Sequence, residues 1–354
     1  MAKGGADKEA RVPMALYRAY RPATFAEVRG QEHVTAVLEA AIAQSKIAHA
    51  YLFAGGRGTG KTSMARILAH ALGTDPQDIY EIDAASNRQV DDARTLREGV
   101  STLPFNSTYK FYILDEVHMF TKDAWNTLLK TLEEPPSHAI FVLATTELEK
   151  VPDTIVSRCQ LFQFKKPSHD ALKKLVLDVA KKEGAALAPA GAELIALMGE
   201  GSFRDTLSIL QKVLTVSADK KLTEDEVAQV VGAPPAGLVN EFLQALAAKN
   251  IEGAMGALHK SVEAGADPKV FALLAVAKVR GVLLVRFAPK VAVVLAEQFG
   301  EEDVALLHEL AAKDGAAINS QMLAELLGAL IEMGRSPLPQ IPLELALYRA
   351  LGTP

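Results

Sequence analysis

The stretch from His49 to Leu72 constrains this chain more than any other. Ala50 to Ala54 form a short apolar run that ends on glycine, as a strand buried on both faces requires. Met64, Ile67, Leu68, Ala71 and Leu72 then recur at helical spacing. Between the two lies Gly55-Gly56-Arg57-Gly58-Thr59-Gly60-Lys61-Thr62, followed by Ser63, which fits the pattern G-x-x-x-x-G-K-[ST]. Strand, glycine loop and helix in that order turn backbone N–H groups toward phosphates at the positive end of a helix. The spacing therefore predicts a nucleotide site over Gly55–Ser63, with Lys61 reaching the β- and γ-phosphates and Thr62 ligating Mg²⁺.

At 354 residues, 49% of them apolar, the chain is long enough for two or three domains with sizeable cores. The first thirteen residues are small and charged with no apolar run, so 1–13 read as a solvated, disordered tail rather than a signal peptide. From Val270 to Phe299 the sequence is strongly apolar, but Lys278, Arg280, Arg286 and Lys290 interrupt it, and buried helices are expected there rather than a membrane span. The single cysteine, Cys159, excludes an internal disulfide and an all-cysteine zinc site, and fits a reducing cytoplasm. A net charge of −5 gives no support to a chain coated by nucleic acid, although a local basic patch remains compatible with it.

Pro22 keeps Arg21 out of the α region, so Leu16 to Gln31 reads as an extended segment. A helix starting near Gln31 carries Val34, Val37, Leu38, Ala41 and Ile42 on one stripe. Further strands are expected at Ile79–Ile82, Phe111–Leu114, Ile140–Ala144 and Leu161–Phe164, with helical segments between them. Alternation of this kind implies an α/β domain, a five-stranded parallel sheet with helices on both faces.

The third of these strands delivers Asp115-Glu116-Val117-His118 at its C-terminal end, where ligands bind in open α/β sheets. An Asp-Glu pair after an apolar run arises often by chance. Downstream of a phosphate loop it acquires a purpose, since hydrolysis of a nucleoside triphosphate needs one carboxylate for Mg²⁺ and one to orient water. Asp115 is assigned to the metal and Glu116 to the water, and His118 reads as a polar neighbour. Thr121–Glu134 reads as a helix with Trp125, Leu128, Leu129 and Leu132 inward, stopped by Pro135-Pro136. The fourth strand ends in Thr145-Thr146, either of which puts a hydroxyl near the γ-phosphate unless both simply face solvent.

Taken together these residues resemble the AAA+ ATPases and, within them, the clamp-loader ATPase subunits of bacterial DNA polymerase III. The resemblance rests on Tyr20-Arg21-Pro22 with Phe25 and Gly30-Gln31, the glycine loop, Glu81-Ile82-Asp83-Ala84-Ala85-Ser86, Asp115-Glu116-Val117-His118, Lys130 to Pro136, Ala144-Thr145-Thr146 and Ser157-Arg158-Cys159. It covers residue 15 to about residue 232 firmly and the remainder loosely. It implies an α/β P-loop AAA+ core over 14–166, a helical lid over 167–233 and a helical collar over 234–354 that joins subunits. It also implies ATP and Mg²⁺ as ligands, nucleotide contacts from Tyr17, Arg18 and Val28, and sensing of the γ-phosphate by Thr145 or Thr146. Arg158 would be a finger reaching a neighbouring subunit's ATP, the alternative being an ordinary surface ion pair. Arg204 in Gly201-Ser202-Phe203-Arg204-Asp205 would be a second sensor, fixed in a first helical turn by a capping box of Ser202 and Asp205. Thr223 with Glu226 forms a second box with a structural role only.

The implied partners are other loader subunits and further copies of this chain in a ring, a sliding clamp and primed-template DNA, with no membrane. Branch-migration or initiator ATPases of the same superfamily are the alternative, and these usually append a DNA-binding domain. One departure stands out: relatives usually carry a four-cysteine zinc module after the P-loop helix, whereas here Leu72-Gly73 runs through Thr74-Asp75-Pro76-Gln77 into the next strand. No zinc is therefore expected. Beyond Pro234-Pro235-Ala236-Gly237 only helical periodicity remains, as in Leu323, Leu326, Leu327, Leu330 and Ile331 and in a last helix at Leu343–Leu351. The stop at Pro354 reads as a short form or as part of a longer chain.

Overall fold

A computed structural model describes residues 14–86, 90–217, 220–235, 237–292, 295, 299, 301–313 and 317–352. The tail expected at 1–13 lies outside these residues. Five strands, β1 (Ala50–Gly55), β2 (Ile79–Asp83), β3 (Lys110–Asp115), β4 (Ala139–Thr145) and β5 (Gln160–Phe164), form one parallel sheet in the order β2-β3-β4-β1-β5. The expected strands are all present, each with an added residue at one end or at both.

Both faces are covered, which is why the strands read as continuous apolar runs. Tyr51 and Phe53 of β1 turn to the face lined by α2 (Glu32–Ala43) and α3 (Lys61–Ala71), where they meet Val34, Leu38, Met64 and Leu68. Leu52, between them, turns to the opposite face with α4 (Val90–Val100) and α5 (Lys122–Glu133), beside Leu96, Trp125, Leu128 and Leu132. Full burial of aromatic and aliphatic side chains such as these contributes about 1.5–3 kcal/mol each. Thr121 caps α5, its Oγ1 accepting from the Ala124 N–H.

Two local expectations are corrected. The segment before α2 is not extended throughout: Leu16–Ala19 form one helical turn, α1, in which Leu16 is buried, and Phe25–Glu27 a 3-10 turn. Pro22 sits after α1, so its restriction on Arg21 never conflicts with that turn. On α2, Val34 and Leu38 are buried but Val37 is 44% exposed, because a helix lying on a sheet buries a narrower stripe than the full apolar pattern.

The chain divides into two compact units, one through Leu175 together with Gly199–Ser208, the other Val176–Met198 together with Ile209 onward. The remaining helices are α6 (Asp153–Val156), α7 (His169–Lys182), α8 (Pro189–Met198), α9 (Phe203–Val216), α10 (Glu224–Val231), α11 (Leu238–Ala247), α12 (Ile251–Glu263), α13 (Pro268–Phe287), α14 (Glu301–Ala312), α15 (Ser320–Met333) and α16 (Ile341–Leu351). Two-residue strands at Ala186–Leu187 and Lys221–Leu222 pair in parallel within the second unit. Its largest core gathers Phe242, Leu246, Phe271, Val279, Leu307, Leu326 and Leu347 from α11 to α16, with Phe242 and Phe271 packed edge to face at 5.1 Å. The apolar stretch from Val270 begins inside α13, and among the described residues no helix is long and apolar enough to cross a membrane.

Candidate functional site

The sheet order places the C-terminal ends of β1, β4 and β3 side by side, with Ala54 paired to Thr145 and Leu114 to Leu143. Each end carries part of the predicted site. β1 runs into the glycine loop, and α3 begins at Lys61, directly after Gly60 in a left-handed conformation at φ 102°. Gly58 is also left-handed, at φ 69°, and a Cβ there would collide with Ser202 Oγ. The loop is further tied by the Phe203 N–H donating to Gly58 O at 3.0 Å and by Thr59 Oγ1 donating to Gly56 O at 2.9 Å. Arg57 is exposed and Thr59 buried, while Thr62 and Ser63 are half-buried in the first turn of α3.

Lys61 is buried, with Nζ donating to the carbonyls of Gly55 at 2.8 Å and Gly56 at 2.9 Å. Burial pushes its pKa down, opposed by the carboxylates of Glu116 and Asp115, while Arg204 adds to the lowering. Thr62 Oγ1 donates to Asp115 Oδ2 at 2.7 Å. A hydroxyl and a carboxylate so placed form a hard-oxygen pair of the kind that Mg²⁺ accepts, so the residues present fit that ion. Glu116 follows in a left-handed conformation, φ 49°, which costs a non-glycine residue roughly 1–2 kcal/mol. That turn swings its side chain away from the strand direction, and Thr146 Oγ1 donates to its Oε2 at 2.9 Å. Thr145 is fully buried, its Oγ1 accepting from the Glu147 N–H at 3.0 Å and lying 3.1 Å from His118 Nδ1. The two threonines are therefore not equivalent: Thr146 touches Glu116, and Thr145 is enclosed by His118 and Glu147.

A second group converges from outside the sheet. The Tyr17 ring has the Arg18 guanidinium 5.7 Å from its centroid and the Arg204 guanidinium 5.8 Å away. Arg204 is the second residue of α9, and Ser202 Oγ accepts from the Asp205 N–H at 3.2 Å. The expected box is only half formed, because the Ser202 N–H donates to Gly199 O instead of to Asp205. Val28 packs on the core beside α2.

A family profile described as DNA polymerase III, delta subunit, matches residues 30–87 and 75–168. The gamma/tau subunit of DNA polymerase III from Mycobacterium tuberculosis is 37% identical over 361 aligned residues, covering 96% of this chain and 62% of that protein. The tau subunit from Bacillus subtilis is 40% identical over 296 residues, covering 78% of this chain and 52% of that protein. The chain belongs to the gamma/tau family of DNA polymerase III subunits. Against these two relatives it spans about half to three-fifths of the full length. Among solved structures, the RuvB Holliday junction branch migration motor of Thermotoga maritima matches with TM-score 0.52 at 24% identity, covering 64% of this chain and 79% of that one. The likeness is one of fold alone.

Within this gamma/tau chain, Arg158 stands apart from the P-loop cluster. Its Nη2 donates to Glu133 Oε1 at 2.6 Å and its Nη1 to Thr154 O at 2.7 Å. Cys159, next to it, packs on the core beside α5, and burial pushes its thiol up to about 12.

Sequence reading missed two residues of the site and one of its supports. Arg21 is disfavoured as a cation first by burial and then by the guanidinium of Arg66, with Arg204 and Arg18 adding to this and Glu81 opposing it. Arg66 in turn pairs with Glu81. Clustered guanidiniums around one paired carboxylate make a field that attracts a polyanion. The support is Gln31, fully buried, whose amide donates to Lys165 O at 2.7 Å and accepts from the Lys165 N–H at 3.1 Å. It anchors the segment leading into α2 to the end of β5, alongside the glycine loop. Arg21 and Gln31 both lie in motifs visible in the sequence, but nothing in their spacing shows which charges they would face.

Proposed function

We propose that this chain is an ATP-hydrolysing subunit of a ring-shaped clamp loader, which uses ATP binding and hydrolysis to open a sliding clamp and place it on primed-template DNA. The observation that carries this reading is the Thr62–Asp115 pair beside Glu116–Thr146, at strand ends adjacent to a P-loop with a buried Lys61. Lys61, the backbone N–H groups of Gly55–Ser63 and the guanidiniums of Arg21 and Arg204 bind and orient the triphosphate, with Tyr17, Arg18 and Val28 toward the rest of the nucleotide. Thr62 and Asp115 would hold Mg²⁺, which supplies neutralisation of the charge on the β- and γ-phosphate oxygens. Glu116 orients the attacking water and accepts its proton, and Thr146 holds that carboxylate in place. Arg158 acts on the nucleotide of a neighbouring subunit, leaving Glu133 to do so.

In this reading residues 167–233 form the lid that carries Arg204 and residues 234–354 the collar through which loader subunits, including copies of this chain, assemble in the cytoplasm. The ATP site in this reading needs no zinc module, and α3 leads directly through Thr74–Asp78 to β2. The test is ATP hydrolysis by the chain assembled with its loader partners: the rate is expected to rise when a ring clamp and primed DNA are added together. A rate indifferent to both would remove clamp loading from the proposal while leaving nucleotide binding in place.

A further inference from the structure

His118 lies just beyond the Asp115-Glu116 pair, in the 3-10 turn Val117–Met119, and its side chain is only 7% exposed. The ring is held from two sides. Nε2 is 3.1 Å from Glu147 Oε1, whereas Nδ1 is 3.1 Å from Thr145 Oγ1 and 3.4 Å from Glu116 Oε2. A carboxylate only accepts, so a ring nitrogen holds either glutamate only as an N–H donor: held by both, the ring donates from Nε2 toward Glu147 and from Nδ1 toward Glu116 and Thr145. Glu147 is itself fixed, its N–H donating to Thr145 Oγ1 and its Oε2 paired with Lys150 at 2.6 Å. Glu116 needs such support, because its left-handed backbone sets its direction while its long side chain keeps rotational freedom.

We infer that His118 is a positioning residue for hydrolysis: anchored by Glu147 through Nε2, it fixes the Glu116 carboxylate through Nδ1. This rests on the reading of Glu116 as the group that orients water. A displacement of about 1 Å at such a group costs on the order of 10²-fold in rate. Glu147 opens the connection between β4 and β5 that also carries Arg158, so the same bonds link the base to the segment proposed to face a neighbouring subunit.

Two unequal replacements separate this role from simple packing. Asparagine places a polar atom where Nδ1 stands, and glutamine places one where Nε2 stands. In Mg²⁺-dependent ATP hydrolysis by the full chain, His118→Gln is expected to lower kcat about 10–100-fold with nucleotide Kd unchanged, and His118→Asn to recover most of that loss. Equal losses in the two variants, or a loss in Kd in place of kcat, would overturn the inference. Glu147→Ala, at a partly exposed position, is expected to lower kcat about 3–10-fold. An unchanged kcat there overturns the inference even if the His118 variants do not fold. Glu116→Gln is the control: hydrolysis at the native rate in that variant defeats the assignment of the base, a failure distinct from equal His118 losses alongside an inactive Glu116→Gln.

Discussion

Two lysines, one in each compact unit, are buried to the same degree and treated in opposite ways. Lys61 is 6% exposed and Lys278 is 7% exposed. Lys278, in the middle of α13, pairs with Asp303 at 2.6 Å and donates to Asn240 Oδ1 at 2.7 Å, while Asn240 donates to the same Asp303 oxygen at 2.9 Å. That charge is fully answered within the helical unit. Lys61 is held by two neutral carbonyls, with the nearby carboxylates Asp115 and Glu116 opposing the effect of burial but not bonded to it. A buried cation with a dedicated counter-ion is architecture, and one left to carbonyls keeps its charge for an incoming anion.

Lys110 shows that neutral acceptors alone do not make a site. It is fully buried at the start of β3 and donates to Gly99 O at 2.8 Å and Thr102 Oγ1 at 2.7 Å, but it also lies 4.9 Å from the centroid of Tyr80. Its bond to Gly99 O sits at the negative end of α4, and an aromatic face closes it off. What distinguishes Lys61 is its company: the Thr62–Asp115 pair, Glu116 and the guanidiniums of Arg21 and Arg204.

The largest expected difference follows from substituting the two lysines in parallel. Lys61→Ala should reduce ATP binding to undetectable while leaving the melting temperature unchanged or raised, since an unpaired buried charge is removed. Lys278→Ala should leave nucleotide affinity unchanged and cost about 3 kcal/mol in stability, because Asp303 loses its partner. Titration calorimetry with ATP and urea unfolding of both variants check this, and a matching stability loss in Lys61→Ala would break the comparison.

Arg158 is the residue that most strains the same logic. Its ion pair with Glu133 makes it resemble Lys278, yet it is proposed to act on another subunit's nucleotide. A guanidinium supplied in trans contributes roughly 10³–10⁵-fold in related phosphoryl-transfer enzymes. Arg158→Ala chains should therefore bind ATP and assemble normally but lose stimulated hydrolysis by a factor of that order. Mixing sharpens the point: Arg158→Ala and Glu116→Gln chains, each inactive alone, should recover part of the activity when co-assembled. Some interfaces then join an intact Glu116 to an intact Arg158. No recovery in verified mixed assemblies would return Arg158 to the structural class.

These contrasts also mark what the sequence could disclose. The sheet was legible because its strands are buried on both faces and read as apolar runs, and because the glycine loop and Asp115-Glu116 sit at strand ends where chemistry is expected. Residues that act through contacts made only in three dimensions were not. His118 read as a polar neighbour, although it lies between two glutamates, one of them at the far end of β4. Asp78 carried no motif, yet its buried carboxylate accepts from the backbone N–H groups of Phe105, Asn106 and Ser107. Burial alone would raise its pKa, but those donors outweigh it and hold the carboxyl below its ordinary range. In the helical unit the stripe was legible and the buried face was not: Leu326 is in the core, Leu323 and Leu330 pack against it, and Leu327 and Ile331 are exposed.

The smallest effect compares two helix caps, one in each unit. Thr223 forms a complete box on α10, with Glu226 N–H to Thr223 Oγ1 at 3.3 Å and Thr223 N–H to Glu226 Oε2 at 3.0 Å. Ser202 makes a one-sided cap on α9, but its Oγ also stands against Gly58 of the P-loop, and the turn it caps carries Arg204. Removing either hydroxyl should cost about 1 kcal/mol, the usual loss for an N-cap replaced by alanine. Their consequences for nucleotide should differ. Thr223→Ala is expected to leave ATP affinity unchanged, since nothing in its box touches the phosphate loop. Ser202→Ala is expected to weaken it, because a looser first turn of α9 lets Arg204 move from its position beside Tyr17. Urea unfolding gives the shared stability loss and ATP titration separates the two. Equal ATP affinity in both variants would show that the α9 cap, like the α10 cap, serves only the helix it begins.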